Sequence, residues 1–249
     1  MADTGSHAFH QQLVRNHELA NRIAADGFPM AAFETVQNWQ RDRLMRTYED
    51  FLARDSDAPA CHFFLDELYG GLNFRERDQE VARVEPVMTR MLPRKAVAAV
   101  AEALRLQAIS LEFDMDMAAI LQRRGARTLE NALYSDIYRE CGHRPERERQ
   151  ILLIRRLGHD LERLVKMPLL LRLLRLMRAP ARAAGFGILQ AFLERGLNAF
   201  RRLQSPSAFV ETIYRREWQL MTRLFDGDKD PFSPGSAIRS DLKSTRGYC

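Results

Sequence analysis

The stretch from Leu161 to Phe200 constrains the fold most. Inside it, Ala183–Leu193 runs eleven residues without a charge, between Arg182 and Glu194. In water such a run must face protein on most sides, because apolar surface is driven out of solvent. The preceding residues Leu169, Leu170, Leu173, Leu174 and Met177 follow the three-and-four spacing of a helix face, which Leu171 and Leu176 widen. Arg172, Arg175, Arg178 and Arg182 fall on the other side. Pro168 suits a first helical turn, where its missing N–H is not needed. Pro180 ends or kinks that helix near Arg178. A second helical run extends from about Ala181 to Leu203, and Gly185 and Gly187 within it let another helix approach. The stretch therefore predicts a buried central helix in an all-α protein.

Two other readings of the same residues are weaker. A membrane span needs ~20 mostly apolar residues, so spanning is not expected. A leucine-rich helix with an arginine stripe can lie on an anionic membrane. Arginine stems covering core leucines give the same pattern, and ordinary surface helices are amphipathic in this way.

Glycines (13) and prolines (10) are few for 249 residues, which favours long helices over a turn-rich β fold. The pattern predicts about eight to ten helices in one domain over 7–225. Residues 1–6 are read as a disordered N-terminus and 226–249 as a flexible, glycine- and proline-containing tail. Cys61, Cys141 and Cys249 lack metal-ligand spacing, and no secretory signal precedes them, so a reducing cytoplasm is the expected location. Charge is uneven: residues 1–143 carry 17 basic and 22 acidic side chains, and residues 144–225 carry 17 and 7. The two halves can attract each other, or the basic half can meet an anionic partner. No nucleic-acid-binding module accompanies it, so nucleic acid is not favoured.

Read in order, helices are expected over about 7–25, 30–53, from Pro59 to Gly70, and through Val81–Met91 with a bend at Pro86. A long helix from Pro93 to about Arg124 has two apolar stripes: Val97, Val100, Leu104, Leu111, Met115 and Ala118, and Leu106, Ile109, Phe113, Met117 and Ile120. It is the second candidate for the centre. Thr128 is read as capping a short helix to Glu140, Pro145 as opening the next, Gly158 as a kink in it, and Ser205 or Ser207 as capping the last.

The stretch Phe63-Phe64-Leu65-Asp66-Glu67-Leu68-Tyr69-Gly70, followed by Phe74 and Arg77-Asp78, resembles the F-F-L-x-x-L-Y-G signature of an uncharacterised bacterial all-helical family, a domain of unknown function. Tyr138-Arg139, Gln150-Ile151, Pro180-Ala181, Phe192-Leu193-Glu194 and Arg216-Glu217 fit the same pattern. The resemblance covers the chain from the second helix to about Phe225. It implies a helical cytoplasmic protein and brings no activity, ligand or catalytic residue.

Chemistry-bearing constellations are sparse. Glu140-Cys-Gly-His143 crosses a helix end, and His62/Asp66, Glu112/Asp116 and His159/Glu162 are pairs without a completing set. No metal site and no cofactor is therefore expected. Neither a Gly-x-Ser-x-Gly elbow nor a phosphate-cradling glycine loop occurs. Inward polar residues beside aromatics form one candidate set: Asp66, Tyr69, Arg77, Asp78, Tyr138, Arg139, Glu194, Arg216 and Glu217. A structural network is the simpler reading of these residues, and a polar-walled inter-helix pocket is the sharper one. The sequence thus favours a non-enzymatic protein-interaction or oligomeric module, as a homodimer or with another protein. The alternatives are a helical ligand-binding protein or enzyme, and a peripheral membrane or nucleic-acid binder acting through the arginine stripe at 172–182.

Overall fold

A computed structural model describes residues 4–65, 93–183 and 187–233. Among them are eleven helices and no strand: α1 (Thr4–Ile23), α2 (Met30–Thr47), α3 (Glu49–Leu52), α4 (Ala58–Phe63), α5 (Arg94–Arg123), α6 (Asn131–Cys141), α7 (Arg144–Val165), α8 (Pro168–Leu176), α9 (Arg178–Ala183), α10 (Gly187–Arg202) and α11 (Pro206–Phe225). The protein is all-α.

The buried middle helix is α5. Its 30 residues make a rod about 45 Å long, and both of its apolar stripes are used. Val97, Leu104, Leu111, Met115 and Ala118 are buried on one, and Leu106, Phe113, Met117 and Ile120 on the other. α1 lies along the first stripe. Phe9 and Leu13 share a cluster with Val97, Ala101 and Leu104, while Leu19 and Ile23 join the Ala108–Leu121 half. Buried Asn16 donates to the Leu104 carbonyl at 2.9 Å, and Arg15 Nε donates to Glu112 at 3.0 Å. α2, α6 and α7 pack around the rest of α5, and α11 packs along α7.

The Leu161–Phe200 stretch is not one buried helix. It is divided among the end of α7, α8, α9 and α10. Leu170 and Leu174 are buried, but Leu169 and Leu176 are exposed, and Ala183 is exposed too. The physical reason is length: α8 breaks at Met177, before Pro180, and nine residues cannot bury every leucine of a run that is apolar on several sides. The central role falls to α5, whose thirty residues have no internal proline.

Smaller expectations also change. α2 stops at Thr47, and Tyr48 turns the chain into α3. α6 begins at Asn131 with Glu130, not Thr128, at its N-cap, and Ser205 holds the N-cap position of α11 without a side-chain bond. Prolines 59, 145, 168 and 206 do stand in first turns. Residues 226–233 are tied to the body. Phe232 lies edge-on against Trp39 at 5.2 Å, and Arg223 donates to the Ser233 carbonyl at 2.7 Å.

α7 is unbroken at Gly158. The glycine is there for contact: a Cβ at this position would sit 2.6 Å from Val210 Cγ2 of α11. Gly158→Ala should therefore destabilise by ~1–3 kcal/mol through overpacking, although alanine is the better helix former by ~1 kcal/mol. In a Val210→Ala background the cost should fall to near zero. Urea unfolding of the four proteins checks this, and equal costs in both backgrounds would contradict it.

Candidate functional site

Where α2, α5, α6, α7 and α11 meet, the core turns polar. α5 contributes Asp114, on the same face as Leu111 and Ala118. Only 7% of the residue is exposed. Gln40 Nε2 donates to one carboxylate oxygen at 2.8 Å and Gln37 Nε2 to the other at 3.2 Å. Burial nevertheless pushes its pKa up to about 6, against the pull of these two bonds and of the Arg147 charge.

Two cations flank it. Arg43 Nη1 donates to Glu217 Oε1 at 2.6 Å, and the Tyr48 hydroxyl donates to the same oxygen at 2.8 Å. Burial alone would lower the Arg43 pKa, but the Glu217 charge overrides it and the group is held above its ordinary value. Burial raises the pKa of the Tyr48, Tyr134 and Tyr138 phenols, so all three stay protonated.

Arg147 is different. It is 6% exposed and has no carboxylate partner within ion-pair distance among the described residues. Its guanidinium is held between two rings, 4.0 Å from the Phe113 centroid and 4.1 Å from that of Tyr138. Nη2 reaches the Met117 sulfur at 3.5 Å, and Nε finds no hydrogen-bond partner there. A buried charge is normally paired and hydrogen-bonded. Aromatic faces offset part of that need but leave a donor unsatisfied.

Arg147, Asp114, Gln40, Arg43, Tyr138 and Glu217 share the wall of a cavity of about 50 Å³, enough for a few waters or a small polar group. Ser110, Ile154 and Glu217 separate it from a second cavity of about 90 Å³, walled mainly by Leu44, Phe51, Phe64, Leu106 and Phe209. Phe64, Ala103, Gln107 and Leu157 in turn divide the second from a third, about 120 Å³ and almost wholly apolar. The third reaches Leu170 and Leu174 of α8 and Phe192 of α10. Along α5 the walls run from Ala96 to Asp114, a distance of ~27 Å. Polarity therefore rises along one row of spaces, from α8 to Arg147.

The residues singled out from sequence are scattered. Tyr138 and Glu217 line the polar cavity. Arg216 is buried beside it but serves structure, binding Asp50 at 2.7 and 2.9 Å and the Thr47 carbonyl at 2.9 Å. Arg139 turns away to Asp136 and the Leu224 carbonyl. Glu194 accepts from Arg178 and Gln190 at the α8–α10 corner. Asp66, Tyr69, Arg77 and Asp78 lie outside the described residues. Gln40, Arg43, Asp114, Arg147 and Gln150 were not among the candidates. Their signal was a polar or charged residue in an apolar register: Asp114 three after Leu111, and Arg147 four before Ile151.

Of the pairs named for metals, His159 and Glu162 do stand 3.6 Å apart and Asp66 lies outside the described residues, but members of the described pairs also have other partners. Glu112 holds Arg15, Glu140 holds Arg123 and Arg124, and His159 sits 2.7 Å from Glu211. Among the described residues no group of three or more His, Cys, Asp or Glu is placed around one ion. Burial raises the Cys141 thiol to about 11, which keeps it protonated and a poor nucleophile near neutral pH.

A family model described as a domain of unknown function (DUF8198) matches residues 22–231. No curated protein and no solved structure matches the chain. The matched span includes all the helices that wall the three cavities.

Asp114 should leave a mark on stability. Its pKa is higher folded (about 6) than the ordinary 3.8, so between those values the folded protein holds a proton that the unfolded chain has lost. Stability should then fall as pH rises from ~4 to ~6 and level off above, by roughly 3 kcal/mol in all. Asp114→Asn should remove that part of the slope. Urea midpoints across this pH range test it, and parallel curves for the two proteins would contradict it.

Proposed function

Taking as premise that the chain belongs to this family, whose description assigns no chemistry, we propose that it binds a small amphipathic monocarboxylate inside the bundle. The apolar part of the ligand lies along α5 in the two larger cavities, and the carboxylate meets Arg147. The observation that carries this reading is the unsatisfied, ring-held guanidinium at the polar end of the row. A ligand carboxylate supplies the anion and the acceptor that Arg147 lacks, and charge-assisted bonds of this kind are the strong ones. Filling apolar space stabilises by ~24 cal/mol per Å³, so occupying the 120 Å³ cavity is worth ~3 kcal/mol.

Asp114 gives the site a pH response. With a pKa of about 6, it takes up a proton readily when a second anion arrives beside it. Once protonated it donates rather than repels. This ranks ligand binding above the oligomeric-module reading, because the cavities are walled largely by buried residues. No catalytic role is assigned to any residue.

Calorimetry with dodecanoate and dodecanol provides the test. The wild type should prefer the carboxylate by about ten- to hundred-fold, the worth of a bond to a buried charge. Arg147→Met should bring that ratio near one while still binding the alcohol, a change that a merely structural arginine would not produce. Ala103→Leu, at the partition between the apolar cavities, should weaken both ligands more than ten-fold without lowering the melting temperature. Absence of binding for both ligands by the wild type would overturn the proposal.

A further inference from the structure

α8 has two working faces. Its inner leucines, Leu170 and Leu174, line the apolar cavity of about 120 Å³. Its outer leucines, Leu169 and Leu176, are each 75% exposed, the most of any large hydrophobic among the described residues. Seven residues apart, they stand within ~20° of each other on the helix, so they form one protruding ridge. Exposed Arg172 and Arg175 flank the ridge on α8, and Arg182 of α9 is exposed as well. None of these three arginines makes an ion pair among the described residues, whereas Arg178 is held by Glu194 and Lys166 by Glu162. No acidic residue occurs in the sequence between Glu162 and Glu194.

We infer that this α8–α9 edge docks on an anionic lipid bilayer. Two protruding leucines beside unpaired arginines match a surface that is anionic at the headgroups and apolar just beneath. Arginine meets the phosphates, and leucine enters the acyl boundary. Water hydrogen-bonds the arginines but offers the leucines nothing, and Leu169 and Leu176 remain exposed although Leu170 and Leu174 of the same helix are buried. The match is to an interface that yields to protruding side chains, since both leucines are three-quarters exposed and line none of the three cavities described above. No helix among the described residues is long and apolar enough to cross a membrane. If the cavity reading also holds, the bilayer is the source or destination of the amphipathic ligand, with α8 as the wall between them. That clause rests on the proposal above, and the docking itself does not.

The test uses the full chain in co-sedimentation with vesicles of phosphatidylcholine alone or mixed with phosphatidylglycerol. Binding should require the anionic lipid and fall steeply as salt rises. Arg172→Gln and Arg175→Gln should each weaken it roughly five-fold. The pair Leu169→Gln, Leu176→Gln should weaken it more than ten-fold with an unchanged melting temperature, because both side chains are solvent-exposed. Ala103→Leu should leave vesicle binding untouched, so failure of the cavity reading and failure of docking give different results. Equal binding to neutral vesicles, no vesicle binding, or indifference to the leucine pair would overturn the inference. So would an absence of vesicle binding accompanied by self-association, or by DNA-duplex binding, that the same variants abolish. That outcome would give the edge to a second copy or to nucleic acid.

Discussion

A positive charge held in the core by aromatic faces is the constraint on which the rest of this structure turns. Arg147 has Phe113 above and Tyr138 below, each about 4 Å away. To keep a guanidinium there, α5, α6 and α7 must converge at one level, and that level is where the bundle stops being apolar. Everything polar nearby is organised by the same need for compensation. Asp114 supplies a counter-field, two glutamines hold Asp114, and Arg43 with Glu217 closes the side. Buried charge is costly unless paired, so the arrangement is best understood as specific rather than stabilising.

The architecture follows from one long helix that is apolar on two sides. α5 accepts α1 and α2 along part of its surface and α6 and α7 along the rest, and α11 reaches the core across α7. Close approach is bought locally by glycine. Gly158 admits Val210, and Gly196 admits the Phe63 ring, which a Cβ would meet at 2.6 Å. Helix α8 is the exception to this tight packing, with one face against a cavity and the other bare.

The helices could be seen in the sequence because each carries its own evidence: periodicity, first-turn prolines, and the Gly142 break, whose left-handed φ of 67° suits glycine. The identity of the central helix could not. Ala183–Leu193 and Leu106–Ile120 are both strongly apolar, and burial depends on which partners fold over them. The polar site was half visible. Tyr138 and Glu217 stood out beside aromatics, whereas Asp114 and Arg147 were obscured by charged neighbours at Glu112, Asp116, Glu146 and Glu148. Their pairing logic spans the chain, as Arg43 with Glu217 illustrates at a separation of 174 residues. No local pattern encodes such a contact.

The central claim is that one molecule spans the row from α8 to Arg147. The most direct measurement is a crystal structure of the protein with octadecanoate, long enough to span the row, brominated at its far end, the bromine located by its anomalous signal. The account expects bromine beside Leu170, Leu174 and Phe192, with the carboxylate in hydrogen-bond contact with Arg147 Nε. Bromine at the polar end, or a ligand confined to the outer surface, would contradict it.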